Sequence, residues 1–392
     1  MKPSCFLKSH GYLNERTREL RLPSMRIVYV DAMNQHFDPL DLDSQSSLNS
    51  TRLASLDVVE PALRGTRALE LLSAAAIGGS IRASATDLKL EVAGRDDREL
   101  LLAFDKCLVT SDPAVREAAC RQAERLGRYL GYLLATLRLD ASAPETRAHR
   151  KHWSRIRQVW LAGGLASGNL GHILSDASSQ VLEKAGTRLD IQVAPRPGVL
   201  PLIGAARSLA AIDGMALVYD FGGTTAKHAL GVYADGDLIG LRLLPPISTP
   251  PAARVLADDE AAVGHTLADF ICNSIVRDWR ALQSEGRAPL RKVTASIASY
   301  VKDNHPKDYR AAGYMTLRHI ALSAGEWLTR AISARLRHDI DLTLMHDGTA
   351  AARTFAGQDG TAVILMGTWL GVGFAPPSQD GLRPLAPELQ VL

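Results

Sequence analysis

The stretch that most restricts the fold is the apolar run Met215-Ala216-Leu217-Val218-Tyr219, which leads into Asp220-Phe221-Gly222-Gly223-Thr224-Thr225-Ala226-Lys227. Two further strand-like runs follow, Ala229–Tyr233 and Leu238–Leu244, and the Ala234-Asp235-Gly236-Asp237 between them is a strong hairpin signal. A chain holding this unit must build a three-stranded meander with a bare glycine turn at one end. Around it, strands alternate with helices. Strands are expected at Val293–Tyr300, Asp341–Met345 and Ala362–Met366, and helices over 260–283, 315–337 and 348–356. This alternation predicts an α/β layer architecture.

The first half reads less sharply. Residues 34–60 are Ser/Asp-rich and predict a long loop, and 61–82 carry a helical pattern of small residues. Asp112-Pro113 opens a long helix, with Asp112 as N-cap and Pro113 at the first helical position. Val159–Ala162 reads as a strand stopped by Gly163-Gly164, with a helix over 169–186 and another from Leu200 to Ala211. The basic cluster Arg147, Arg150, Lys151, Arg155 and Arg157 reads as a solvated linker. The Pro-rich end from Ala375 to Leu392 reads as loop. Residues 1–24 read as a poorly ordered extension before a strand-like Arg26–Val30, with Met25 an alternative start.

Four segments carry chemistry. Gly222 and Gly223 let backbone N–H groups approach phosphate oxygens, with Thr224 and Thr225 adding hydroxyl donors and Lys227 positive charge. Asp220 can hold Mg²⁺ through water. Asp347, at a strand end before a small-residue helix, can take a proton from a substrate hydroxyl; read alone, the plain N-cap is the favoured reading. Gly367-Thr368 repeats the glycine–threonine turn, and Gly163-Gly164 leaves bare backbone on which an adenine ring could lie. Each turn read singly is also an ordinary hairpin or strand–helix turn. Ser299 and Asn304 belong to a polar stretch suited to a hydroxylated ligand, and equally to an exposed loop.

Together these segments resemble the nucleotide site of the ROK and glucokinase branch of the sugar-kinase, actin and heat-shock-chaperone superfamily. Asp220–Leu230 resembles its first phosphate motif and Gly367–Gly373 its second. His346–Ala352 resembles the segment whose aspartate is the catalytic base, and Gly163-Gly164, with Gly204-Ala205-Ala206 downstream, the adenosine motif. The resemblance covers most of the chain from about residue 62. It implies a two-lobed actin-like (ribonuclease H-like) ATPase fold with a cleft between the lobes, and ATP and Mg²⁺ as cofactors. It also implies phosphoryl transfer to a hydroxyl of a sugar-like small molecule, with Asp347 as base. A nucleotide-binding regulatory protein or weak ATPase of the same fold is the alternative. The sequence departs from the family in three residue features. His346 stands where an asparagine is common, Trp369 and Leu370 where small residues are usual, and no zinc-binding Cys/His cluster is present. Glu388 is a thin match to the family's sugar-binding glutamate. The adenosine motif also precedes the phosphate motif, which predicts a circular permutation. Residues 25–211 plus 360–392 would then form the adenosine lobe, and 212–359 the catalytic lobe.

Bulk properties narrow the class. Lys and Arg number 45 against 42 Asp and Glu, so nucleic acid is not an expected partner. No apolar run is long enough for a membrane span. The scattered Cys5, Cys107, Cys120 and Cys272 suit a reducing cytoplasm. Relatives of this kind often form homodimers, and the same is expected here.

Overall fold

The interior strands are near-continuous apolar runs, as burial on both faces of a parallel sheet demands. The computed structural model describes residues 37–140, 147–209, 213–254, 259–308 and 313–392. The first half holds helices α1 (Leu69–Leu72), α2 (Ala74–Ala83), α3 (Asp97–Cys107), α4 (Pro113–Leu139) and α5 (Arg147–Trp153). Strand β1 (Gln158–Ala162), helix α6 (Asn169–Lys184), β2 (Asp190–Val193) and α7 (Leu200–Arg207) follow. The meander is β3 (Gly214–Phe221), β4 (Thr225–Ala234) and β5 (Asp237–Ser248). Next come α8 (Glu260–Ser284), β6 (Lys292–Ile297), the short pair β7 (Val301–Lys302) and β8 (His305–Pro306), and α9 (Ala324–Leu336). The chain closes with β9 (Asp341–His346), α10 (Asp347–Arg353), β10 (Thr361–Met366), β11 (Leu370–Phe374) and β12 (Leu385–Val391).

Two sheets carry the fold. One has the order β11-β10-β1-β2 and the other β12-β5-β4-β3-β6-β9. In the first, β10, β1 and β2 run parallel and β11 is antiparallel. In the second, β3 to β5 form the antiparallel meander, while β6 and β9 lie parallel to β3. The hairpin signal between β4 and β5 is met by Asp235 and Gly236, both at positive φ.

Each sheet has its own apolar core. Leu126, Leu130 and Leu133 of α4 pack with Leu170 and Leu174 of α6 and with Val159, Leu161 and Ile364. On the other sheet, Leu267, Ile271 and Ile275 of α8 and Leu328 and Ile332 of α9 pack on Tyr219, Phe221, Val293 and Ala295. A third core joins the two sheets: Ala205 and Ala206 of α7, Ala350 to Ala352 of α10, Ala162, Val363, Ala216, Val218 and Met345. Small residues set these distances. A Cβ on Gly127 would come within 2.6 Å of the Ala177 Cβ, and one on Gly131 equally close to the Val181 Cβ, so α4 and α6 lie almost backbone to backbone.

Several elements differ from the sequence expectation. Residues 37–60 are packed structure, with Leu42, Leu48, Leu53 and Val59 buried around short 3₁₀ turns at Ser44–Ser46 and Leu48–Ser50. The 61–82 helix is broken because Ser73 is extended (ψ 156°) and caps α2 by accepting the Ala76 N–H. The basic linker is helix α5, whose Arg150 pairs with Asp140 at 3.0 Å. The 315–337 helix splits into a 3₁₀ stretch, Gly313–His319, and α9, which Ser323 caps. The Pro-rich end contains β12, which pairs with β5; residues 385–391 therefore join the second sheet rather than the first, where the 360–392 grouping would put them. Residues 1–24, Met25 and the Arg26–Val30 run lie outside the described residues. Among those described, no helix is long and apolar enough to cross a membrane.

Helices α7 and α10 cross at Gly204, whose Cα rests on the Ala350 carbonyl; an added Cβ has no room there. Overpacking a core costs about 1–3 kcal/mol. The obstacle here is backbone, so Gly204→Ala should cost about 3 kcal/mol, read as a lowered urea midpoint. A variant within about 0.5 kcal/mol of the parent would show that the helices do not touch there.

Candidate functional site

Ligands of open α/β sheets bind beyond the carboxyl ends of the parallel strands. Here five such ends, from β1, β10, β3, β6 and β9, open on one cavity of about 1320 Å³. A single small-ligand site is roughly 300–1,000 Å³, so this space is large enough for a nucleotide-sized ligand. Its wall includes Gly163, Gly164, Asp220, Gly222, Gly223, Thr224, Thr225, Lys227, Ser299, His346, Asp347, Gly367 and Thr368.

The two glycine–threonine turns face each other. A Cβ placed on Gly223, after β3, would sit 3.2 Å from the Thr368 hydroxyl, after β10. The first turn is stitched from behind by Thr249, whose N–H donates to Thr224 O and whose hydroxyl donates to Gly222 O, both at 3.1 Å. Gly164 has nothing within 4 Å of its Cβ position, and Gly367 only the Trp369 carbonyl at 3.9 Å, so both offer bare backbone to open space. Gly163 lies at φ +90° against the Met366 backbone, a conformation that holds the ends of β1 and β10 together and needs glycine.

Asp347 is the first residue of α10 and is recessed in the wall, with its side chain 19% exposed. The Thr349 N–H donates to His346 Nδ1 at 3.3 Å, so that nitrogen is the unprotonated acceptor. Burial holds His346 neutral, its pKa lowered to about 3. Its proton therefore sits on Nε2, 3.1 Å from Asp347 Oδ1. The Gly348 N–H donates to the same oxygen at 2.7 Å. Oδ1 is thus held by two donors, while Oδ2 has no hydrogen bond among the described residues. Burial and then the nearby Asp220 charge push the Asp347 pKa up to about 7, the range of a general base at neutral pH. Asp220 itself is buried and accepts the Ser296 hydroxyl at 2.9 Å. Burial raises its pKa against the pull of Lys227.

Among the described residues, no three His, Cys, Asp or Glu side chains gather as a metal cage. Mg²⁺ needs none, because it keeps several waters and takes one or two carboxylates plus phosphate oxygens. Asp220 and Asp347, two interacting carboxylates on the wall of a cavity with bare glycine turns, fit that donor set. Lys227 is partly committed, since its Nζ donates to Gly198 O at 2.6 Å.

Three expected residues lie elsewhere. Gly204 is the helix-crossing glycine rather than part of an adenine wall. Asn304 uses its amide on the backbone of β9, donating to Leu342 O at 2.9 Å and accepting from the Leu344 N–H. Glu388 is exposed on β12. Ser299 is buried on the cavity wall, and its hydroxyl has no partner among the described residues, as suits a group waiting for a polar ligand. Other wall residues carried no local signal. Asn49 grips the Leu370 backbone twice, at 2.7 and 2.9 Å, and Ala74 N–H donates to Gly367 O at 3.1 Å. Asp105 caps α6 by accepting the Leu170 N–H at 2.9 Å.

No protein-family model and no curated protein matches the chain. Among solved structures, it is similar to the crystal structure of an exopolyphosphatase-like protein at 13% identity and a TM-score of 0.25, covering 67% of this chain and 89% of that one.

Asp347 gives a stability test. Its pKa is raised in the fold from 3.8 to about 7, so the native state holds the proton more tightly than the unfolded chain does. Stability then falls as pH rises from about 4 through 7. Asp347→Asn, which cannot ionise, should be more stable than the parent at pH 8 by on the order of 4 kcal/mol, with the gap closing near pH 4. A gap independent of pH would mean that the carboxyl is not held in this environment.

Proposed function

We propose that the protein transfers the terminal phosphoryl group of ATP to a hydroxyl of a neutral, sugar-like small molecule. The observation that carries this reading is the pair of glycine–threonine turns from separate sheets, facing each other on the cavity that Asp347 lines. Backbone N–H groups at Gly223 and Gly367, with the Thr224 and Thr368 hydroxyls, hold the phosphate oxygens, while the Gly222 N–H closes the turn on Asp220 O at 3.2 Å. The Gly163-Gly164 backbone faces the nucleoside. Asp220 would hold Mg²⁺ through water, and the ion would supply positive charge for the phosphate oxygens.

Asp347 Oδ2 takes the proton of the acceptor hydroxyl as its oxygen bonds to phosphorus. The bridging P–O bond breaks with its electron pair going to ADP. His346 and the Gly348 N–H keep the carboxylate turned for that task, and the buried Ser299 hydroxyl orients the acceptor. Catalysis is then mainly positioning and charge stabilisation. The chain order is read as a permuted ROK-like arrangement, with each sheet the centre of one lobe. In support, β1 pairs directly with β10 from the far end of the sequence, so the adenosine and second phosphate turns share one sheet edge.

An ADP-release assay over a panel of sugars and polyols tests this. ADP release should require one acceptor class, and its rate should rise with pH through about 7 as Asp347 loses its proton. Asp347→Ala should lower transfer by about 10²–10⁴-fold, while calorimetry shows Mg-ATP bound as in the parent. Undiminished transfer in the variant would remove the base assignment. Acceptor-independent ADP release would mark an ATPase instead.

A further inference from the structure

The cations on the cavity wall are not equivalent. Arg82 is paired with Asp97 at 2.7 Å, Lys227 is held by Gly198 O, and His346 is neutral. The guanidinium groups of Arg98 and Arg254 have neither a hydrogen bond nor an ion pair among the described residues. Arg98 belongs to α3, and nothing connects it to the phosphate turns. Arg254 does touch them: its Cγ is 3.6 Å from the Cβ position of Gly223, whose other near neighbour is the Thr368 hydroxyl at 3.2 Å. Its aliphatic stem therefore runs over the seam where the two glycine–threonine turns meet.

The stem is anchored while the head is free. Arg254 ends the 3₁₀ turn Pro251–Ala253, its N–H donating to Pro251 O at 2.9 Å. That turn starts beside Thr249, the residue that stitches Gly222 and Thr224 from behind. Gly313 packs beneath it, where a Cβ would strike Ala252 and Ala253. The support of Arg254 is thus built into the phosphate turn itself, and its guanidinium is left exposed at the mouth of the cavity.

We propose that Arg254 is a catalytic arginine acting in cis, whose guanidinium grips the terminal phosphoryl group of ATP during its transfer. This rests on the phosphoryl-transfer reading and adds a residue to it. The site has a charge problem that such a group relieves, because Asp220 and Asp347 both stand on the wall that the terminal phosphate faces. An arginine is always charged, and its planar fork of N–H donors matches two phosphate oxygens at once. As the acceptor oxygen bonds to phosphorus and the bridging oxygen leaves with its electron pair to ADP, negative charge spreads over the three equatorial oxygens. Arg254 offers its donors there.

The test compares two nucleotides that differ by one phosphoryl group. In calorimetry, Arg254→Ala should bind Mg-ATP at least tenfold more weakly than the parent, with Mg-ADP affinity within twofold. ADP release should fall by about 10³-fold, the lower end of what a transferred arginine supplies. Arg254→Lys, which keeps the charge and loses the fork, should regain only part of either loss. The side chain is exposed, so an unchanged urea midpoint confirms that the fold is intact. Parent-like ATP affinity and ADP release in Arg254→Ala would overturn the role of Arg254 and leave the site reading standing. A parent protein that binds neither nucleotide would overturn both.

Discussion

The crossing of α7 over α10 is the contact on which the site depends. At Gly204 the two helices meet backbone to backbone. The last residue of α7, Arg207, then reaches under the far end of α10, donating to Arg353 O at 2.6 Å and Thr354 O at 3.0 Å. These are the carbonyls a helix leaves unpaired, and a buried guanidinium satisfies them while complementing the helix dipole. At the near end, His346 caps the helix, and Gly348 lies against Val372 of β11. A short helix clamped at both ends has little freedom. Its first residue is Asp347, so the position of the carboxylate is set by packing well away from it.

Placing that carboxylate costs stability. Two acidic side chains share one wall, burial raises the cost of ionising each, and the Asp220 charge adds to that cost at Asp347. The fold answers with fixed donors, Ser296 on Asp220 and the Gly348 N–H and a neutral imidazole on Asp347, backed by the more distant charge of Lys227. A neutral donor holds Oδ1 without lowering the basicity of the carboxylate as a formal cation would. The arrangement keeps Asp347 able to exchange a proton near neutrality, which a salt bridge would suppress.

The sequence made the meander, the five strand ends and the two glycine–threonine turns legible, because continuous apolar runs and glycine punctuation are local signals. The same logic failed where the signal was not local. Ser73 looks like one more small residue in a helical pattern, yet its extended backbone splits the helix. Gly204 sits in a small-residue cluster that suits either a ligand wall or a helix crossing, and only the partner helix decides between them. Asn304 looks like a ligand residue until its amide is seen pinning β9. Asn49 lies 321 positions from the Leu370 it holds, and no window of sequence could pair them. Arg254 follows a Pro-Pro turn that reads as loop, and its place over Gly223 emerges only when the chain is folded.

The pairing of β1 with β10 also governs the order in which the molecule can assemble. On a ribosome, β1 and β2 emerge long before residues 361–366, so the parallel pair must wait with one backbone edge unsatisfied. The second sheet can settle from β3 to β9 in the meantime, since those five strands are contiguous in synthesis. The first sheet is finished only when β10, with β11 following it as an antiparallel partner, docks on the free edge of β1, a late step that closes a very long loop and is correspondingly slow. Until then the uncovered edge of β1 is a template for strands of other chains, and it is the segment of the nascent protein most in need of a chaperone.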